Sequence, residues 1–169
     1  MQQVLVPTQH KVSQHTTELL TCRVGEQWIG FRVQQVREVV KQQLRTHMPK
    51  APDAVAGLIN LRGRVITELE VRQVVGLPRR DEGVPFHVAI VETISGEDFG
   101  LIVDDVGEVI TMNEDAFEAT PQSLAAIWRQ VSDGVLKQDD RVLVLVNVDR
   151  FIGLTIPNVN TLQAETVVH

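Results

Sequence analysis

GFRVQQVREVV, from Gly30 to Val40, aligns without gaps on GLIVDDVGEVI, from Gly100 to Ile110. Both segments follow the pattern G-[FL]-x-V-x-x-V-x-E-V-[VI]. Further along, RVITELEVRQVVGL (Arg64–Leu77) aligns on RVLVLVNVDRFIGL (Arg141–Leu154), with identical Arg, Val, Val, Gly and Leu. The two offsets, 70 and 77 residues, differ by an amount that a loop insertion can absorb. A period of about seventy residues is longer than that of solenoid repeats, so it predicts two whole modules rather than an array.

The segments in and around the repeat have the texture of β-strands. Short apolar and β-branched runs are separated by turn signals at Gly25-Glu26, Arg62-Gly63 and Ser95-Gly96. Short strands with closely spaced turns are typical of all-β barrels and sandwiches. Helical patterns are confined to VRQVVGL, DRFIGL and the segment from Pro121 to Trp128. The sequence therefore predicts an all-β protein with short connecting helices.

Composition suggests where the folded part of the chain begins and ends. The N-terminal residues are polar and aperiodic, which favours a flexible arm. LPRRDEGVP, from Leu77 to Pro85, has the Pro, Gly and charge content of a linker. The predicted units are an arm (1–16), one domain (17–155) made of two subdomains (about 17–80 and 85–155) between which strands can be exchanged, and a tail (156–169).

Charge and hydropathy argue against several classes of protein. The chain of 169 residues has a net charge of −6, whereas a non-specific nucleic-acid binder needs Lys and Arg to displace counterions. No apolar run approaches the roughly 18–20 residues that span a membrane. Polar residues also interrupt the N-terminal segment, where a signal peptide would be apolar. We therefore expect a cytoplasmic protein that neither binds nucleic acid nor inserts into a membrane.

Sequence motifs of catalysis and metal binding are missing. No two of the eleven glycines form Gly-x-Gly, so the dinucleotide-binding fingerprint is missing, and no Walker loop is present either. The five histidines lack the spacing of a metal pair. The single cysteine, Cys22, lies in a strand-like run and is interpreted as a buried thiol. Adjacent acidic residues at Asp104-Asp105, Glu114-Asp115 and Asp139-Asp140 are interpreted as solvated strand ends or turns. We predict no enzymatic activity, no metal and no cofactor.

GLINLRGRVITELEVRQVVGL, which begins at Gly57, resembles the central signature of the CheW family. That signature runs Gly-Leu/Val-x-Asn-Leu-Arg-Gly, then a strand, then an acidic residue, an apolar one and Arg. The upstream VREVV and the downstream FGLIVDDVGEVI and DRVLVLVNVDRFI resemble the family's other blocks in the same order, over about residues 18–154. The resemblance implies two similar, intertwined five-stranded β-barrels of SH3-like type packed together, which agrees with the internal repeat.

The resemblance also implies a function and a set of contact residues. Proteins of this family are non-catalytic adaptors in bacterial chemotaxis, and they couple the cytoplasmic tip of a chemoreceptor to the regulatory domain of a CheA-type histidine kinase. Carried onto this sequence, the family's interaction positions are Val36, Glu38, Gly57 and the turn Asn60-Leu61-Arg62-Gly63. Arg62 would offer a rigid fork of donors to a carboxylate, and Gly63 would suit a positive φ. Asn60 would hydrogen-bond the turn backbone.

Structural roles are the alternative for two of these positions. Val36 could equally be a core residue of an alternating strand. Glu38 has a counterpart in the repeat, Glu108, so a structural role shared by both modules is as good an interpretation as a partner contact.

Glu68 is a further candidate for partner contact. The family usually has proline and then an aliphatic residue where this chain has Thr67 and Glu68. Alternation in RVITELEV places Glu68 on a face that is apolar in the repeat copy, where Leu145 takes its position. Because an unpaired buried carboxylate is strongly destabilising, we expect Glu68 to be exposed or to face a partner, and not to be buried without a cation.

Two other functions remain compatible with the sequence. One is a CheW-like scaffold of a different kinase pathway, such as one that controls pili or biofilm. The other is an SH3-like module that binds a proline-rich peptide or, against the expectation from net charge, nucleic acid. Such sites usually need aromatic side chains, and Trp28 and Trp128 are the only tryptophans.

Overall fold

A computed structural model describes residues 15–156 and consists mainly of strands, as the sequence predicts. The strands are β1 (Thr16–Val24), β2 (Gln27–Arg32), β3 (Val36–Lys41), β4 (Arg45–Thr46), β5 (Val55–Leu61), β6 (Arg64–Glu70), β7 (His87–Glu92), β8 (Asp98–Val103), β9 (Asp105–Asn113), β10 (Ser132–Lys137) and β11 (Val142–Val146). The helices are α1 (Val71–Val74), α2 (Ala126–Val131) and α3 (Val148–Thr155), with single 3-10 turns at Val33–Gln35 and Glu114–Ala116. The predicted arm and tail lie almost entirely outside the described residues.

The strands form two sheets, and each sheet combines strands from both halves of the chain. The first sheet has the order β10-β11-β2-β1-β9, and the second has the order β3-β7-β8-β6-β5-β4. Pairing is parallel between β11 and β2 and between β6 and β8, and antiparallel elsewhere. Without the short strand β4 and taken from the opposite edge, the second sheet has the order β5-β6-β8-β7-β3. This order corresponds strand for strand to the order β10-β11-β2-β1-β9 of the first sheet. The internal repeat of the sequence is therefore a structural repeat, and the two sheets fit the predicted pair of barrels. The predicted five strands are present in the first sheet, whereas the short strand β4 adds a sixth to the second.

Local sequence explains the tight connections. β1 and β2 are joined by Gly25-Glu26, with Gly25 at a φ of 60°. β5 and β6 are joined by Arg62-Gly63, with φ values of 54° and 84°. Positive φ at both central residues is the geometry of the type I′ turn, whose twist matches that of the flanking strands. These turns lie where the sequence predicts them, and the second one carries part of the candidate site.

Apolar side chains collect in three clusters. A central cluster lies between the two sheets and includes Phe31, Leu69 and Leu101. The opposite face of the second sheet carries a smaller cluster, formed by Ile59, Ile66, Val88, Ile90 and Ile102. The first sheet carries its equivalent, formed by Leu19, Leu136, Leu143 and Leu145. Both sheets are thus buried on both faces over much of their area, so the pattern of their strands is only partly alternating.

Cys22 lies in the central cluster and is completely buried. Burial raises the pKa of its thiol to about 12. A thiol that stays protonated at neutral pH is a poor nucleophile. The interpretation of Cys22 as a buried thiol is confirmed.

The segment between α1 and β7 is anchored by a network of charges. Arg80 donates to Asp104 at 2.5 Å and to Glu70 at 3.0 Å. Asp104 also accepts hydrogen bonds from Arg72 and from the backbone N–H of Gly25, each at 2.6 Å. The interpretation of Asp104 as a solvated strand end is wrong, because its side chain is only 11% exposed and links hairpins of the two halves. Burial acts to raise the pKa of Asp104, but the Gly25 N–H and the two arginines outweigh it and lower that pKa.

Candidate partner-binding surface

Glu38 and Arg62 form a two-pronged ion pair at the surface of the second sheet. Glu38 lies on edge strand β3, and Arg62 lies in the turn between β5 and β6. Both terminal nitrogens of Arg62 donate to the carboxylate, with 2.7 Å between Nη2 and Oε1. The hydrogen bond from Arg62 lowers the pKa of Glu38, and Glu38 in turn raises the pKa of Arg62. Two residues that the sequence singles out separately are thus brought into one unit.

The exposure of this pair is uneven. The Arg62 side chain is 70% exposed, whereas that of Glu38 is 29% exposed. Arg62 is therefore the member of the pair that presents more of its side chain to solvent. A partner that approaches this surface would meet the cation first.

The backbone of the turn holds Arg62 in place. The side-chain oxygen of Asn60 accepts a hydrogen bond of 3.0 Å from the N–H of Gly63, as the sequence predicts. A Cβ atom on Gly63 would meet no other atom within 4 Å, so the requirement for glycine comes from its positive φ. Leu61 is half-buried and packs against the small cluster of the second sheet. The turn is therefore rigid at its base and exposed at its tip.

Val36 begins edge strand β3 and is half-buried against the central cluster. The register between β3 and β7 shifts between Val36 and Glu38, which marks a β-bulge. Bulges at sheet edges redirect side chains. Val36 thus occupies a position that combines core packing with proximity to the exposed edge, and both interpretations made from the sequence remain compatible with it.

Gly57 lies in a different place, under the side chain of Arg45. Its φ is 152°, and a Cβ atom there would lie 2.5 Å from the backbone oxygen of Thr46 and 2.6 Å from Cγ of Arg45. Gly57 is paired in register with Glu68 on the neighbouring strand. The missing side chain therefore leaves a path by which Arg45 crosses β5 and reaches Glu68. This structural role accounts for glycine at position 57.

Glu68 is buried, so the expectation that it is exposed or faces a partner is wrong. Its side chain is 0% exposed, and its Oε1 accepts a hydrogen bond of 2.6 Å from Nε of Arg45. The accompanying expectation, that burial requires a cation, agrees with this pair. Among the described residues Oε2 of Glu68 has no hydrogen-bond partner. Burial raises the pKa of Glu68, against the opposing effect of Arg45.

The partner of Glu68 is partly open to solvent. Arg45 is one-third exposed, and its guanidinium lies 5.8 Å from the ring centre of Phe86. It lines a groove of about 660 Å³ between the loop before β5 and the segment that precedes β7. Arg45 therefore bridges water and the interior of the second sheet.

Four charged residues near the Glu38–Arg62 pair were not predicted from the sequence. Arg37 donates to Asp98 at 2.8 Å and to Glu92, and Arg64 lies 2.6 Å from the other oxygen of Asp98. Asp98 comes from the second half of the chain, whereas both arginines come from the first. Only Arg64 has an identical residue at its repeat position, Arg141, and this is the one hint that the sequence offers.

The rest of the described chain adds no further kind of site. Within residues 15–156, no group of three His, Cys, Asp or Glu side chains could hold a metal ion. None of the helices in that range has the length and apolar character needed to cross a bilayer.

Comparisons with known proteins agree on one family. The model of the CheW-like domain matches residues 18–155. The chain is 33% identical over 132 residues to "Chemotaxis protein CheW" of Rhizobium meliloti, which covers 78% of this chain and 84% of that protein. It is 29% identical over 144 residues to "Probable chemotaxis protein CheW" of Rhizobium etli, with 85% and 92% covered. The crystal structure of scaffolding protein TtCheW from Thermoanaerobacter tengcongensis superposes with a TM-score of 0.69 at 31% identity, and covers 77% of this chain and 88% of that one.

Proposed function

This chain belongs to the CheW-like family, and from this premise we propose that it is a non-catalytic adaptor that couples a chemoreceptor to a CheA-type histidine kinase. Its role is that of a chemotaxis coupling protein. Its partners would be the cytoplasmic tip of a receptor and the regulatory domain of the kinase, both met in the cytoplasm. The Glu38–Arg62 pair, together with Val36 and the Asn60–Gly63 turn, would form a contact surface.

The observation that carries this proposal is the geometry of the Glu38–Arg62 pair. A bidentate guanidinium–carboxylate pair fixes both side chains before any partner arrives. Holding them in advance lowers the entropy that is lost on binding. Because Arg62 is the more exposed member, a reversal of its charge should affect binding far more than folding.

Arg62→Glu should abolish receptor-dependent activation of the kinase while it changes the free energy of unfolding by about 0.5–1 kcal/mol at most. The assay is phosphorylation of the kinase in reconstituted complexes that contain receptor, kinase and adaptor. Urea unfolding of the same preparations reports stability. Arg150→Glu is a matched control, because Arg150 is also an exposed arginine in an ion pair, with Asp133 at 2.8 Å in the first sheet.

A charge-swapped double variant separates partner contact from a structural role. Glu38→Arg combined with Arg62→Glu restores an internal ion pair with reversed polarity. If the pair serves only to hold the turn, the double variant signals normally. We expect it to be folded and still inactive, because a partner would meet the wrong charge. Normal signalling by either variant would contradict the proposed surface.

A further inference from the structure

Asp98 is a nearly buried carboxylate under two exposed arginines. Its side chain is 3% exposed, whereas those of Arg37 and Arg64 are 47% and 58% exposed. Arg37 approaches from β3 and Arg64 from the start of β6, on either side of the β7–β8 hairpin that carries Asp98. One buried anion thus fixes two guanidinium groups at the surface.

The register of the sheet explains why Arg37 stays where it is. Glu92 lies directly opposite Asp98 on the neighbouring strand. Like charges in directly opposed cross-strand positions repel each other. Arg37 contacts both carboxylates, so it relieves this repulsion and is held from two sides. Its position is therefore set in the free protein.

Both arginines keep hydrogen-bond donors for a partner. A guanidinium carries five N–H donors. Arg37 uses its Nε and Nη2 within the protein. Arg64 approaches Asp98 through Nη2 at 2.6 Å, but Oδ2 of Asp98 is not in hydrogen-bonding geometry. This ion pair therefore uses none of the N–H donors of Arg64 in a hydrogen bond, and the Arg64 side chain is 58% exposed.

A small depression connects these arginines to the Glu38–Arg62 pair. It has a volume of about 80 Å³, and apolar side chains of Leu61, Ile66 and Ile90 contribute to its lining. Its charged lining consists of three arginines, Arg37, Arg62 and Arg64, and two carboxylates, Glu38 and Asp98, so the lining carries one net positive charge. This volume corresponds to two or three water molecules, on the order of one short side chain. Apolar side chains together with an excess of guanidinium groups over carboxylates suit a short aliphatic stem that ends in a carboxylate.

We propose that Arg37 and Arg64 form a preorganised binding site for a carboxylate side chain of the chemoreceptor tip, and that Asp98 is the residue that positions them. This inference rests on the proposed function and specifies the chemistry of the same surface. The partner segment carries an aspartate or glutamate that enters the depression beside Arg62. Since Asp98 belongs to the second half of the chain, the surface is complete only when both halves are folded together.

The direction in which Asp98→Asn changes the binding affinity distinguishes positioning of the arginines from simple charge attraction. Asp98→Asn removes a negative charge from the surface, so long-range electrostatics alone would strengthen binding of an acidic partner. Loss of positioning acts in the opposite direction, because the released arginines must be ordered on binding. We expect Asp98→Asn to weaken binding at least threefold. Asp133→Asn removes the same charge from an ion pair in the first sheet and should leave the affinity unchanged or slightly raised.

The experiment uses the full-length protein and a cytoplasmic hairpin fragment of a chemoreceptor encoded in the same genome. A second fragment has the aspartates and glutamates of its tip replaced by asparagine and glutamine. Calorimetric titration gives the affinity of wild type, Arg64→Gln, Asp98→Asn and Asp133→Asn for each fragment. Thermal unfolding verifies that each variant is folded. Arg64→Gln, at a largely exposed position, keeps the test valid if Asp98→Asn fails to fold.

We expect Arg64→Gln to weaken binding of the natural fragment about tenfold, and to have no effect on binding of the neutralised fragment. Wild type should bind the neutralised fragment more weakly than the natural one. If wild type binds both fragments equally, or if Asp98→Asn binds more tightly, the inference is wrong although the proposed function stands. If wild type binds neither fragment, the proposed function itself fails at this surface. Tight binding of a duplex oligonucleotide at physiological salt would instead point to a polyanion site.

Discussion

The two halves of the chain place opposite chemistry at one position of the same fold. Glu68 of β6 and Leu145 of β11 are 77 residues apart, which is the offset of the repeat. Glu68 is paired with Gly100 in the second sheet, and Leu145 is paired with Gly30 in the first. Both side chains are buried. One half therefore buries a carboxylate where the other buries an aliphatic group.

The residue that packs next to Glu68 is charged, whereas its counterpart near Leu145 is apolar. In the second sheet, Arg45 and Thr46 of β4 pair with β5. In the other half, the bridge between Glu118 and Val135 of β10 is equivalent to the pairing of Thr46 with β5. Phe117, which precedes Glu118, thus corresponds to Arg45, and it packs against the apolar cluster that contains Leu145. A charged pair in the second sheet is replaced by an apolar pair in the first. The same backbone thus accommodates either pair, and we expect that the two members of a pair have to be exchanged together.

The largest effect should come from placing a carboxylate in the half that lacks a cation. Leu145→Glu removes a buried leucine and leaves a buried charge unpaired, so we expect a loss of more than about 5 kcal/mol in the free energy of unfolding. Urea unfolding at neutral pH measures it. Adding Phe117→Arg should recover part of that loss. A Leu145→Glu protein as stable as wild type would show that the two positions are not equivalent.

Removal of the cation from the charged pair should have the next largest effect. Arg45→Phe leaves Glu68 buried without a partner and should cost about 3 kcal/mol, near the lower limit for a broken buried pair because Arg45 is one-third exposed. The loss should shrink at acidic pH, where Glu68 is protonated. A loss that does not depend on pH would mean that Arg45 contributes packing rather than charge.

Transfer of the whole apolar pair into the second sheet should leave the free energy of unfolding unchanged or raise it, instead of lowering it. Glu68→Leu with Arg45→Phe places the first sheet's pair in the second sheet, and replacement of a buried ion pair by apolar residues often leaves stability unchanged or raises it by about 1–4 kcal/mol. The double variant is compared with both single variants in the same unfolding assay, so that the coupling between them is measured directly. A double variant less stable than Arg45→Phe alone would contradict the comparison.

The smallest expected effect is the contribution of Glu68 to the pH dependence of the free energy of unfolding. Burial raises the pKa of Glu68 in the folded protein. The folded state therefore binds more protons than the unfolded state between the two pKa values, and this residue's contribution to stability decreases as the pH rises through that interval. Gln does not titrate, so the Glu68→Gln variant lacks this pH-dependent loss of stability. The difference in unfolding free energy between wild type and Glu68→Gln, measured from about pH 4 to pH 7, should move in favour of the variant as the pH rises.

Much of the fold could be predicted from short stretches of sequence. The repeat, the strand texture and the turns at Gly25-Glu26 and Arg62-Gly63 each depend on neighbouring residues, and the structure confirms them. The helix predicted within Pro121–Trp128 instead runs from Ala126 to Val131, since that segment has neither a strong cap nor a long apolar period. Patterns of this kind record local preferences and the alternation of strands.

Side-chain partners across the sheets could not be predicted in this way. Alternation places Glu68 on a defined face, but only the folded chain brings Arg45 over Gly57 to meet it. Asp98 and Arg37 are 61 residues apart and lie on strands separated by a third. Such contacts depend on strand order and register, which arise from the pairing of distant segments and from the exchange of strands between the halves. The sequence by itself determined two similar β-modules and the turn at Arg62-Gly63. Tertiary structure decided which charges are buried and which arginines lie at the surface, because the energy of a charge depends on its neighbours in space.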